Sequence, residues 1–561
     1  SGIYFENSYV IDGRMDAAEA RKSVSKADVV WLAGGDTPVQ YAYLVKYGLD
    51  DAIRKHPGLI IGMSAGSINL GKTAICTLTC RHNELEIYNA LGCVDISVEP
   101  HFDHQNVTDE LMQLSKEYTI YGLCDDSVIV CSDEKKEFLI RQSIRERGTE
   151  NYRQIGESRV ASDRKLSFPV PDIKLWDLET PVLYEVKTEL LQNGNVLDEN
   201  ITLFGFRTAV FLQDGFYLNG KKVKLRGLNR HQSYPYVGYA MPESMQKRDA
   251  DILKNELGVN AVRTSHYPQS RHFVERCDEL GLLVFTEIPG WQHIGDEIWK
   301  KQAVENVKDM VEQYRNHPSV ILWGVRINES GDDDAFYRET NRVAHELDPT
   351  RQTGGVRAHK KSSLLEDVYT YNDFSYNGTN HGCEKKSAVT SDNSKPYLIS
   401  EYNGHMYPTK SYDWEEHRVW HAMRHVNVLD AVAGEADIAG SFGWCMFDYN
   451  THKDFGSGDR ICYHGVMDMF RNPKLAASVY ACEQDEILVL QITSSMDIGE
   501  HPGCNRGNIY ILSNADSVKM YKNDRFIKEY LPGMSPYKHL KHGPIPVSYT
   551  HLRAHETGRN L

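Results

Sequence analysis

The sequence predicts an α/β protein dominated by a (β/α)₈ barrel, which has partial β-sandwich flanks and follows a separate α/β unit. Between residues 213 and 482, short apolar segments alternate with amphipathic segments eight times. Eight strand–helix units in about 270 residues match the usual size of one such barrel. Two glutamates, Glu329 and Glu401, stand at the ends of two predicted strands. Residues 1–140 contain short buried strands of their own.

The bulk composition is that of a multidomain globular protein. A chain of 561 residues is too long for one hydrophobic core, and about two to four domains are expected. The net charge of −15 argues against a nucleic-acid or anionic-membrane partner, because binding to phosphate groups needs clustered Lys and Arg. No apolar run approaches the ~18 residues that a membrane helix needs, so no membrane partner is expected.

The cysteines and the N-terminus bear on location. Eleven cysteines are scattered singly, without the spacing of a zinc site or the density of a disulfide framework. This pattern favours reduced thiols and a cytoplasmic location. The first residues lack the basic-then-apolar order of a signal peptide. They also lack an initiator Met, so we expect the chain to begin within a longer gene.

Three regions precede the barrel. In residues 1–140, the apolar runs 29–33 and 59–63 predict short buried strands, each followed by glycine and a helical segment. The stretch 141–166 is charged and has no apolar periodicity, which predicts a linker. Residues 167–212 then alternate in the manner of strands, with turn residues between them, and predict part of a β-sandwich.

A candidate nucleophile lies in the N-terminal region. Ser64 is the centre of the Gly-x-Ser-x-Gly sequence at residues 62–66, which follows a strand and opens a helix. This pattern is typical of a nucleophile elbow, in which a sharp turn exposes the hydroxyl. The backbone amides near Gly35 and Ala65 are candidate oxyanion donors, and His101 is a candidate base.

The barrel strands and helices follow from hydrophobic periodicity. The predicted strands cover residues 223–226, 261–265, 283–287, 320–325, 352–356, 367–371, 397–401 and 440–446. Examples of the predicted helices are residues 243–257, 270–280, 298–315 and 414–432. In this arrangement Glu329 follows the fourth strand and Glu401 ends the seventh. A β-rich segment, residues 483–545, follows the barrel.

Glu329 and Glu401 are the candidate catalytic residues. Glutamate is poorly suited to the interior of a strand, whereas the carboxyl ends of barrel strands face the mouth, where such folds carry out their chemistry. Two carboxylates there provide the acid/base and the nucleophile that glycoside hydrolysis needs. The alternative for each glutamate is an exposed strand end without a catalytic role.

Polar and aromatic residues at other strand ends predict a sugar-binding pocket. Sugars need dense hydrogen bonding along their hydroxyl edge and an aromatic plane against their apolar face. For Trp444, which would supply that plane, a place in the core is an equally good interpretation. The candidates at the barrel mouth are Arg226, Asn229, Arg230, His231, Arg263, His266, Tyr371, Asn372, His405 and Trp444.

Six stretches of residues 167–545 resemble glycoside hydrolase family 2, the family of β-galactosidases and β-glucuronidases. They are residues 175–184, 204–207, 218–221, 260–268, 315–323 and 328–329. The resemblance implies retention of configuration, with Glu329 as acid/base, Glu401 as nucleophile and Asn328 as a hydrogen-bond partner of the 2-hydroxyl. The two carboxyls of a retaining enzyme are expected to lie ~5–5.5 Å apart.

Departures from the family pattern bear on substrate and cofactor. Residues 324–327 replace a small Ser-Leu-Gly segment, and Arg326 would perturb the pKa of Glu329 if it pointed inward. An Asn-x-Lys element, with which similar β-glucuronidases grip a carboxylate, is not evident; residues 462–464 read Cys-Tyr-His, which favours galactosides over glucuronides. The Glu-x-His magnesium element is missing at residues 287–292, so the ligands of a metal are not evident, although the resemblance allows Mg²⁺ or Na⁺.

Family members also carry domains before the barrel that are absent from this sequence. They have a jelly-roll sugar-binding domain and a complete immunoglobulin-like sandwich. Here the sandwich begins halfway, at about residue 167, and no jelly roll precedes it. We expect the loss of that domain to remove polar contacts from the substrate pocket and to expose an apolar flank of the barrel.

The N-terminal unit resembles the peptidase E family of serine dipeptidases, which have a glutamine-amidotransferase-like fold. The motifs that carry the resemblance are residues 34–37, 62–66 and 99–102. It implies Ser64 as nucleophile and His101 as base. The acidic third member is expected near Thr79, where no carboxylate exists, and Glu84 or Glu86 would have to substitute. Because the first strand and helix of that fold are missing and the imidazole lacks a carboxylate, we expect a truncated, vestigial unit without useful peptidase activity.

The last residues, 546–561, have no apolar periodicity and match neither family. They are similar to the conceptual translation of a sequencing adapter. Two truncated families joined by a patternless linker predict a chimera produced by read assembly. A natural fusion and a functional histidine-rich tail are the alternatives.

The sequence as a whole favours a retaining exo-β-glycosidase, most consistent with a β-galactosidase, that acts on a small-molecule glycoside or oligosaccharide. A homo-oligomer is compatible with this interpretation. The alternative is a catalytically impaired chimera or a non-catalytic carbohydrate-binding remnant. A separation of the two carboxyls beyond ~6.5 Å would favour that alternative.

Overall fold

The computed structural model of the 561-residue chain contains two compact units, Ser1–Lys136 and Glu137–Leu561. The structure describes residues 5–80, 82–103, 107–125, 127–131, 138–159, 167–404, 407–452, 459–496, 508–522 and 524–547. The end of the predicted linker (160–166) and the predicted artefactual tail from residue 548 onward lie outside the described residues.

The first unit is an α/β fold with its own apolar core. Strands β1 and β2 pair in parallel, as do β5 and β6, whereas β3 and β4 are antiparallel. The carboxylates of Asp16 and Asp36 accept hydrogen bonds from backbone N–H groups at the starts of α1 and α2, which stabilises both helix ends. The elements are α1 (Ala17–Lys26), β1 (Val29–Leu32), α2 (Thr37–Lys46), α3 (Leu49–Arg54), β2 (Leu59–Gly62), α4 (Ala65–Leu70), β3 (Thr73–Cys76), β4 (Glu86–Asn89), β5 (Ser97–Pro100), α5 (Asp109–Leu114) and β6 (Ile120–Leu123).

The second unit begins with an antiparallel sheet in the strand order β10-β9-β7-β8. Its strands are β7 (Phe138–Glu146), β8 (Arg153–Arg159), β9 (Tyr184–Gln192) and β10 (Asn195–Phe204). The linker predicted for residues 141–166 is therefore wrong over its described part. The charges that suggested a linker pair across neighbouring strands, Arg141 with Glu157 and Arg145 with Glu185. Opposite charges at facing positions are compatible with a sheet surface.

A small antiparallel sheet then leads into the barrel. It consists of β11 (Ala209–Leu212), β12 (Gly215–Leu218) and β13 (Lys221–Val223). Phe211 and Phe216 of this sheet are buried together with Trp176 against Leu225 and Phe442 of the barrel strands. This apolar cluster closes the amino end of the barrel, so that only the carboxyl end is left for a binding site.

Eight parallel strands form a closed barrel, which confirms the predicted fold class. The first strand runs further than predicted, to Arg230. Arg226 therefore lies near its amino end and donates to the carbonyl oxygens of Gly258 and Glu483. The prediction that Arg226 points to the mouth is wrong, because the polar residues after it continue the strand. The barrel strands are β14 (Leu225–Arg230), β15 (Ala261–Thr264), β16 (Leu283–Glu287), β17 (Val320–Gly324), β18 (Gln352–Arg357), β19 (Val368–Asn372), β20 (Tyr397–Tyr402) and β21 (Gly440–Gly443).

The barrel helices begin at polar caps. Ser270, Asp296 and Asp333 accept hydrogen bonds from the first turns of α7, α8 and α9. Gly281 ends α7 with a φ of 68°, and a Cβ there would come within 2.5 Å of the Leu178 carbonyl oxygen, so the position requires glycine. The helices are α6 (Glu243–Asp251), continued by a π-helical turn (Ile252–Glu256), α7 (Arg271–Leu280), α8 (Glu297–Tyr314), α9 (Asp334–Leu347), α10 (Lys386–Val389), α11 (Glu415–Gly434) and α12 (Leu475–Ala481).

Short strands complete the second unit. They are β22 (Tyr449–Asn450), β23 (Ile461–Cys462), β24 (Leu490–Ile492), β25 (Tyr510–Ser513), β26 (Val518–Lys522), β27 (Arg525–Tyr530) and β28 (Ile545–Pro546), with a 3₁₀ turn at Pro532–Met534. β22 and β23 pair beside the barrel mouth, where Tyr449 and Asn450 border the cavity described below. Within the described ranges, no helix has the length and apolar character needed to cross a membrane.

Candidate active site

The carboxyl ends of the barrel strands surround a cavity of about 600 Å³. This volume is within the range of small-molecule sites, about 300–1,000 Å³. Glu329 and Glu401 both face this cavity, as expected from their positions at strand ends. The cavity is lined by His231, Tyr239, His266, Trp291, Gln292, Asn328, Glu329, Phe374, Glu401, Gly404, Trp444, Tyr449, Asn450, Thr451 and His452.

Glu401 is held by a cation. Arg263 is fully buried, and its Nη1 donates to Glu401 Oε1 at 2.6 Å and to Asn229 Oδ1 at 2.9 Å. Its Nε and Nη2 donate to the two carboxylate oxygens of Glu287 at 3.0 and 2.7 Å. Nη2 also donates to Asn328 Oδ1 at 2.8 Å. All five N–H groups of the guanidinium are thus used within the protein.

Glu329 is held by neutral donors. It has a φ of 58°, which is strained for a residue other than glycine, and its backbone N–H donates to the carbonyl oxygen of Val356 at 3.0 Å. Asn372 Nδ2 donates to Glu329 Oε1 at 2.9 Å. Trp291 Nε1 and Gln292 Nε2 donate to Glu329 Oε2 at 3.0 and 3.1 Å. Both carboxylate oxygens are therefore fixed in position.

These surroundings displace the pKa values of the two glutamates in opposite directions. Burial raises the pKa of Glu401, while the charges of Arg263 and His266 oppose that rise and the charge of Glu329 adds to it. Burial also acts to raise the pKa of Glu329, but its three side-chain hydrogen bonds outweigh burial and the net pKa is lowered. With these donors in place, Glu329 is ionised at neutral pH.

One wall of the cavity consists of aromatic and imidazole rings. Trp444 stacks on His266 with ring centroids 5.3 Å apart and an interplanar angle of 9°. His266 Nδ1 lies 2.9 Å from Glu287 Oε1. The ring of His231 meets Trp444 edge-on at 5.3 Å, and burial lowers the pKa of His231 well below its usual value. The wall can therefore contact the apolar face of a sugar.

Asn328 contributes an unsatisfied donor. Its Oδ1 accepts a hydrogen bond from Arg263, which orients the amide. Its Nδ2 is buried and has no hydrogen-bond partner, although the residue lines the cavity. Since buried polar groups are almost always hydrogen-bonded, this N–H₂ group is suited to a hydroxyl of a bound ligand.

The predicted sugar-binding residues divide into three groups. His231, His266, Asn328 and Trp444 line the cavity with the two glutamates. Arg263 lies behind the carboxylates with every donor used, and Arg230 forms a buried ion pair with Asp249, so neither reaches the cavity. Tyr371 is buried in the hydrophobic core of the barrel and is also outside the lining. Arg263 and Tyr371 therefore do not border the cavity, and His405 lies outside the described residues.

The sequence interpretation missed several lining residues. Trp291 and Gln292 follow the third strand, and the rule that placed polar residues at other strand ends would have found them. Phe374 follows the sixth strand in the same way. Tyr239 comes from the segment between β14 and α6, and Tyr449 from the two-residue strand β22; barrel-strand periodicity carries no signal for either.

Arg326 has a structural role instead of a direct effect on Glu329. It is buried, and its Nη2 donates to the carbonyl oxygens of Ser330 and Gly331 at 3.3 and 3.0 Å. Its guanidinium lies 4.6 Å from the ring centroid of Tyr337. These contacts fix the segment that follows Glu329, and Arg326 is not among the groups that shift the pKa of Glu329.

Glu287, at the end of the third strand, is engaged by other side chains. The oxygens of Glu287 accept hydrogen bonds from Arg263 and His266. Across the described parts of the chain, no group of three or more His, Cys, Asp or Glu side chains is arranged to hold a metal ion. Cys462 and His464 are buried and contact each other, with Sγ and Nδ1 2.9 Å apart, and neither lines the cavity.

The first unit contains a second constellation. Ser64 Oγ lies 3.2 Å from His101 Nε2, and His101 Nδ1 lies 2.5 Å from Asp125 Oδ1. The expectation that no carboxylate orients His101 is therefore wrong, and the acidic partner is neither Glu84 nor Glu86. His101 and Asp125 come together because each follows one of two neighbouring parallel strands, β5 and β6. Serine, imidazole and carboxylate in this order have the arrangement of a hydrolase triad.

The backbone at Ser64 has the geometry of a nucleophile elbow. Ser64 has φ 50° and ψ −116° immediately before α4, which begins at Ala65. Such a sharp strand-to-helix turn exposes the hydroxyl. Gly35 has a φ of 144°, and a Cβ on Gly34 would come within 3.3 Å of Ser64 Cβ. Glycine at position 34 thus permits the close approach of the two loops, and glycine at position 35 adopts the positive φ.

A (β/α)₈ barrel with two glutamates in its carboxyl-end cavity has the fold and site of a glycoside hydrolase. Comparison with protein families identifies which one. Residues 210–488 match the model described as "Glycosyl hydrolases family 2, TIM barrel domain", and residues 128–207 match "Glycosyl hydrolases family 2". Over those residues, the chain belongs to glycosyl hydrolases family 2. Residues 10–139 match "Peptidase family S51", so both predicted resemblances are confirmed.

Individual relatives agree with the family. A β-galactosidase of Thermoanaerobacterium thermosulfurigenes is 56% identical over 382 residues, which are 67% of this chain and 53% of that protein. A β-galactosidase of Thermoanaerobacter pseudethanolicus is 50% identical over 66% of this chain and 50% of its own length. The chain thus spans about half the length of these relatives.

The fold is also found in solved structures. An FMN-binding β-glucuronidase from Facaelibacterium prausnitzii L2-6 superimposes with a TM-score of 0.61 and 26% identity. The match covers 74% of this chain and 66% of that one. A GH2 β-galacturonidase from Eisenbergiella tayi gives a TM-score of 0.51 at 25% identity, over 62% and 65% of the two chains.

Proposed function

We propose that this protein is a retaining exo-β-glycosidase that hydrolyses terminal β-galactosides. The observation that carries the proposal is that Glu329 and Glu401 share one cavity but have different partners. Arg263 pairs with Glu401, whereas Glu329 has neutral donors only. A retaining mechanism needs this asymmetry, because one carboxylate must attack and the other must give and take a proton.

The roles follow from the partners. The guanidinium of Arg263, 2.6 Å from Glu401, favours an ionised nucleophile. Glu401 attacks the anomeric carbon while Glu329 protonates the leaving oxygen, and Glu329 then deprotonates the water that releases the sugar. A bound sugar excludes water from Glu329 and competes for its hydrogen-bond donors. Both effects raise the pKa of Glu329 towards the value that a general acid needs.

The cavity has a floor, which favours action on a terminal sugar. Below Glu401, the buried side chains of Asn229, Arg263 and Glu287 fill the barrel. Beneath them lies the apolar cluster that closes the amino end. A sugar that enters the cavity end-on cannot extend beyond this floor, which agrees with binding of the end of an oligosaccharide.

The lining favours a neutral sugar. Among the described residues that border the cavity there is no Lys or Arg, and Arg263 behind them is fully engaged. A uronic acid carboxylate is bound most strongly by a charge-assisted hydrogen bond, which these residues do not offer. The β-galactosidases at 56% and 50% identity support a galactoside as the substrate.

A panel of nitrophenyl β-glycosides tests the proposal. We expect the purified chain to cleave the β-galactoside faster than the β-glucoside or β-glucuronide. Glu401→Gln should abolish turnover, and a 2-deoxy-2-fluoro-galactoside with a good leaving group should label the native protein once, at Glu401, by mass spectrometry of peptides. Exposed Glu312 on α8 provides the control variant Glu312→Gln, which should keep full activity.

Azide rescue separates the two roles. In Glu329→Ala, azide should restore turnover of an activated galactoside. The product should be the β-galactosyl azide, because azide attacks the covalent intermediate on Glu401. Full turnover by Glu401→Gln would overturn the nucleophile assignment. Preference for the glucuronide would overturn the choice of sugar. An inverted product, seen by NMR in the first minutes of the reaction, would overturn the retaining mechanism.

A second candidate function is serine-dependent peptide hydrolysis by the first unit. It is favoured by the contacts Ser64–His101 and His101–Asp125, which supply the orientation that the sequence interpretation expected to be lacking. In this scheme Ser64 attacks the peptide carbonyl, His101 takes its proton, and Asp125 holds the imidazole tautomer.

Asp-X dipeptides provide the test. We expect the native chain to cleave these dipeptides and Ser64→Ala to have lost this activity. A fluorophosphonate probe should label the native chain but not Ser64→Ala. Ser25→Ala, on α1 of the same unit, is the matched control and should retain both signals. Equal dipeptide cleavage by the native chain and Ser64→Ala would reject the serine mechanism and leave the unit without this function.

A further inference from the structure

We propose that Trp291 and Gln292 bind the leaving sugar, and that this sugar takes over hydrogen bonds which otherwise hold Glu329. The ligand class is a neutral pyranose aglycone with free hydroxyls, such as the glucose unit of lactose. The inference rests on the proposed glycosidase function and assigns a second subsite to the same cavity.

The order of residues from floor to rim carries the assignment. Glu401, Asn328 and Trp444 are at most 4% exposed, whereas Trp291 is 42% exposed, although all four line one cavity. Glu329 contacts Trp291 at the rim. Because the acid/base protonates the oxygen between the two sugars, the terminal sugar must lie on the floor side of Glu329. The leaving sugar must lie on the rim side, against Trp291 and Gln292.

The rim segment is rigid enough to form a subsite. Trp291 and Asn328 form a parallel backbone bridge, and the Gln292 N–H donates to the Asn328 carbonyl oxygen at 2.7 Å. Gly290 has a φ of 146°, and a Cβ there would come within 2.9 Å of Ile327 Cδ1. The indole is thus held at a defined height above the floor.

The indole offers an aromatic surface at the right place. Its centroid lies 5.8 Å from the ring of His452, at an angle of 46°, and both rings border the cavity. The apolar face of a pyranose packs against such a ring. The hydroxyls of the same sugar can exchange hydrogen bonds with the amide of Gln292.

The hydrogen bonds at Glu329 link binding to chemistry. Trp291 Nε1 and Gln292 Nε2 both donate to Glu329 Oε2. A sugar hydroxyl that accepts the hydrogen bond of Gln292 removes one stabilising contact from the carboxylate, so that Glu329 gains its proton more readily. When the glycosidic bond breaks, its electron pair stays on the leaving oxygen, which takes that proton, and Glu401 forms the new bond to the anomeric carbon.

Substrates with different leaving groups test the inference. Lactose needs both a sugar subsite and protonation, whereas 2,4-dinitrophenyl β-galactoside needs neither. In Trp291→Ala we expect kcat/KM for lactose to fall by about tenfold or more, equivalent to ~1.4 kcal/mol, and that for the dinitrophenyl galactoside to change less than about twofold. Trp420→Ala is the control, because Trp420 has nearly the same exposure, 41%, on α11 away from the cavity lining.

Trp291→Phe separates the role of the aromatic ring from the role of the hydrogen bond to Glu329. It keeps a ring for the sugar but removes the donor to Glu329, so the basic limb of the pH profile of kcat/KM for lactose should move to higher pH. If Trp291→Ala lowers kcat/KM equally for both substrates, or lowers it for neither, the subsite is overturned but the glycosidase proposal is not. A native chain that cleaves neither substrate overturns the glycosidase proposal, and the subsite with it.

Discussion

Replacing Arg263 by Met tests the central electrostatic argument of the barrel site. Arg263 is fully buried and gives five hydrogen-bond donors to four neighbours, including the carboxylates of Glu287 and Glu401. Met has a similar length but no charge, so two buried carboxylates lose their shared cation. Removing one partner of a buried ion pair typically destabilises a protein by about 3–5 kcal/mol, and we expect a loss of at least that size.

The loss should depend on pH. With Arg263 present, burial alone would raise the pKa of Glu287, but Arg263 and His266 outweigh it and the pKa is lowered. A carboxyl with a lowered pKa in the folded state stabilises the fold above its unfolded pKa of about 4.3, and this stabilisation is lost as the pH falls. In Arg263→Met, burial of Glu287 dominates and raises its pKa in the folded state above the unfolded value. The variant therefore loses stability as the pH rises and this buried carboxyl ionises. The difference between native and variant protein is therefore larger at pH 7.5 than at pH 5.

Urea unfolding followed by tryptophan fluorescence measures both effects. Of the eight tryptophans, only Trp31 lies in the first unit, so the signal reports the barrel unit. The double variant Arg263→Met with Glu287→Gln should recover part of the stability, because one unpaired charge is gone. A loss below ~1 kcal/mol, or an equal loss at both pH values, would refute the reasoning that Arg263 neutralises two buried carboxylates.

Two further predictions address the unsatisfied donor of the barrel and the triad of the first unit. Asn328→Ala should lower kcat/KM for nitrophenyl β-galactoside by ~10²-fold, because hydrogen bonds to the 2-hydroxyl strengthen in the transition state; the 2-deoxygalactoside should lose far less, and equal losses would contradict the assigned contact. Asp125→Asn should lower Ser64-dependent dipeptide cleavage by up to ~10⁴-fold through the wrong His101 tautomer; unchanged cleavage rates would show that Asp125 has no part in it.

The barrel was predictable because its signal is local and repeated. Each strand is a short apolar run and each helix has an amphipathic period, so eight repetitions specify the closed fold even when single boundaries shift. The first strand shows the limit. Its apolar residues end before Asn229 and Arg230, which are buried by partners from distant segments such as Asp249 and Ser400. Hydrophobic periodicity cannot identify such a strand end.

The linker error has the same origin. Charged residues in β7 resemble a solvated segment when the sequence is considered alone. Arg145 is paired with Glu185, 40 positions away, and this pairing exists only once the sheet has formed. Composition indicates whether a segment favours contact with water. Strand pairing determines which of its residues are removed from solvent in the folded protein.

The sequence by itself determined that Glu329 and Glu401 face one barrel mouth, because a strand–helix repeat turns the end of every strand to the same side. Only the tertiary structure decided their partners. Arg263 on β15 reaches Glu401 on β20, 138 positions away, and the indole of Trp291 reaches Glu329. In the first unit, likewise, Asp125 meets His101 because parallel strands lie side by side. Side-chain hydrogen bonds form only within a few ångströms and in a limited range of orientations. They therefore depend on distances in the folded protein, which the periodicity of the sequence does not give.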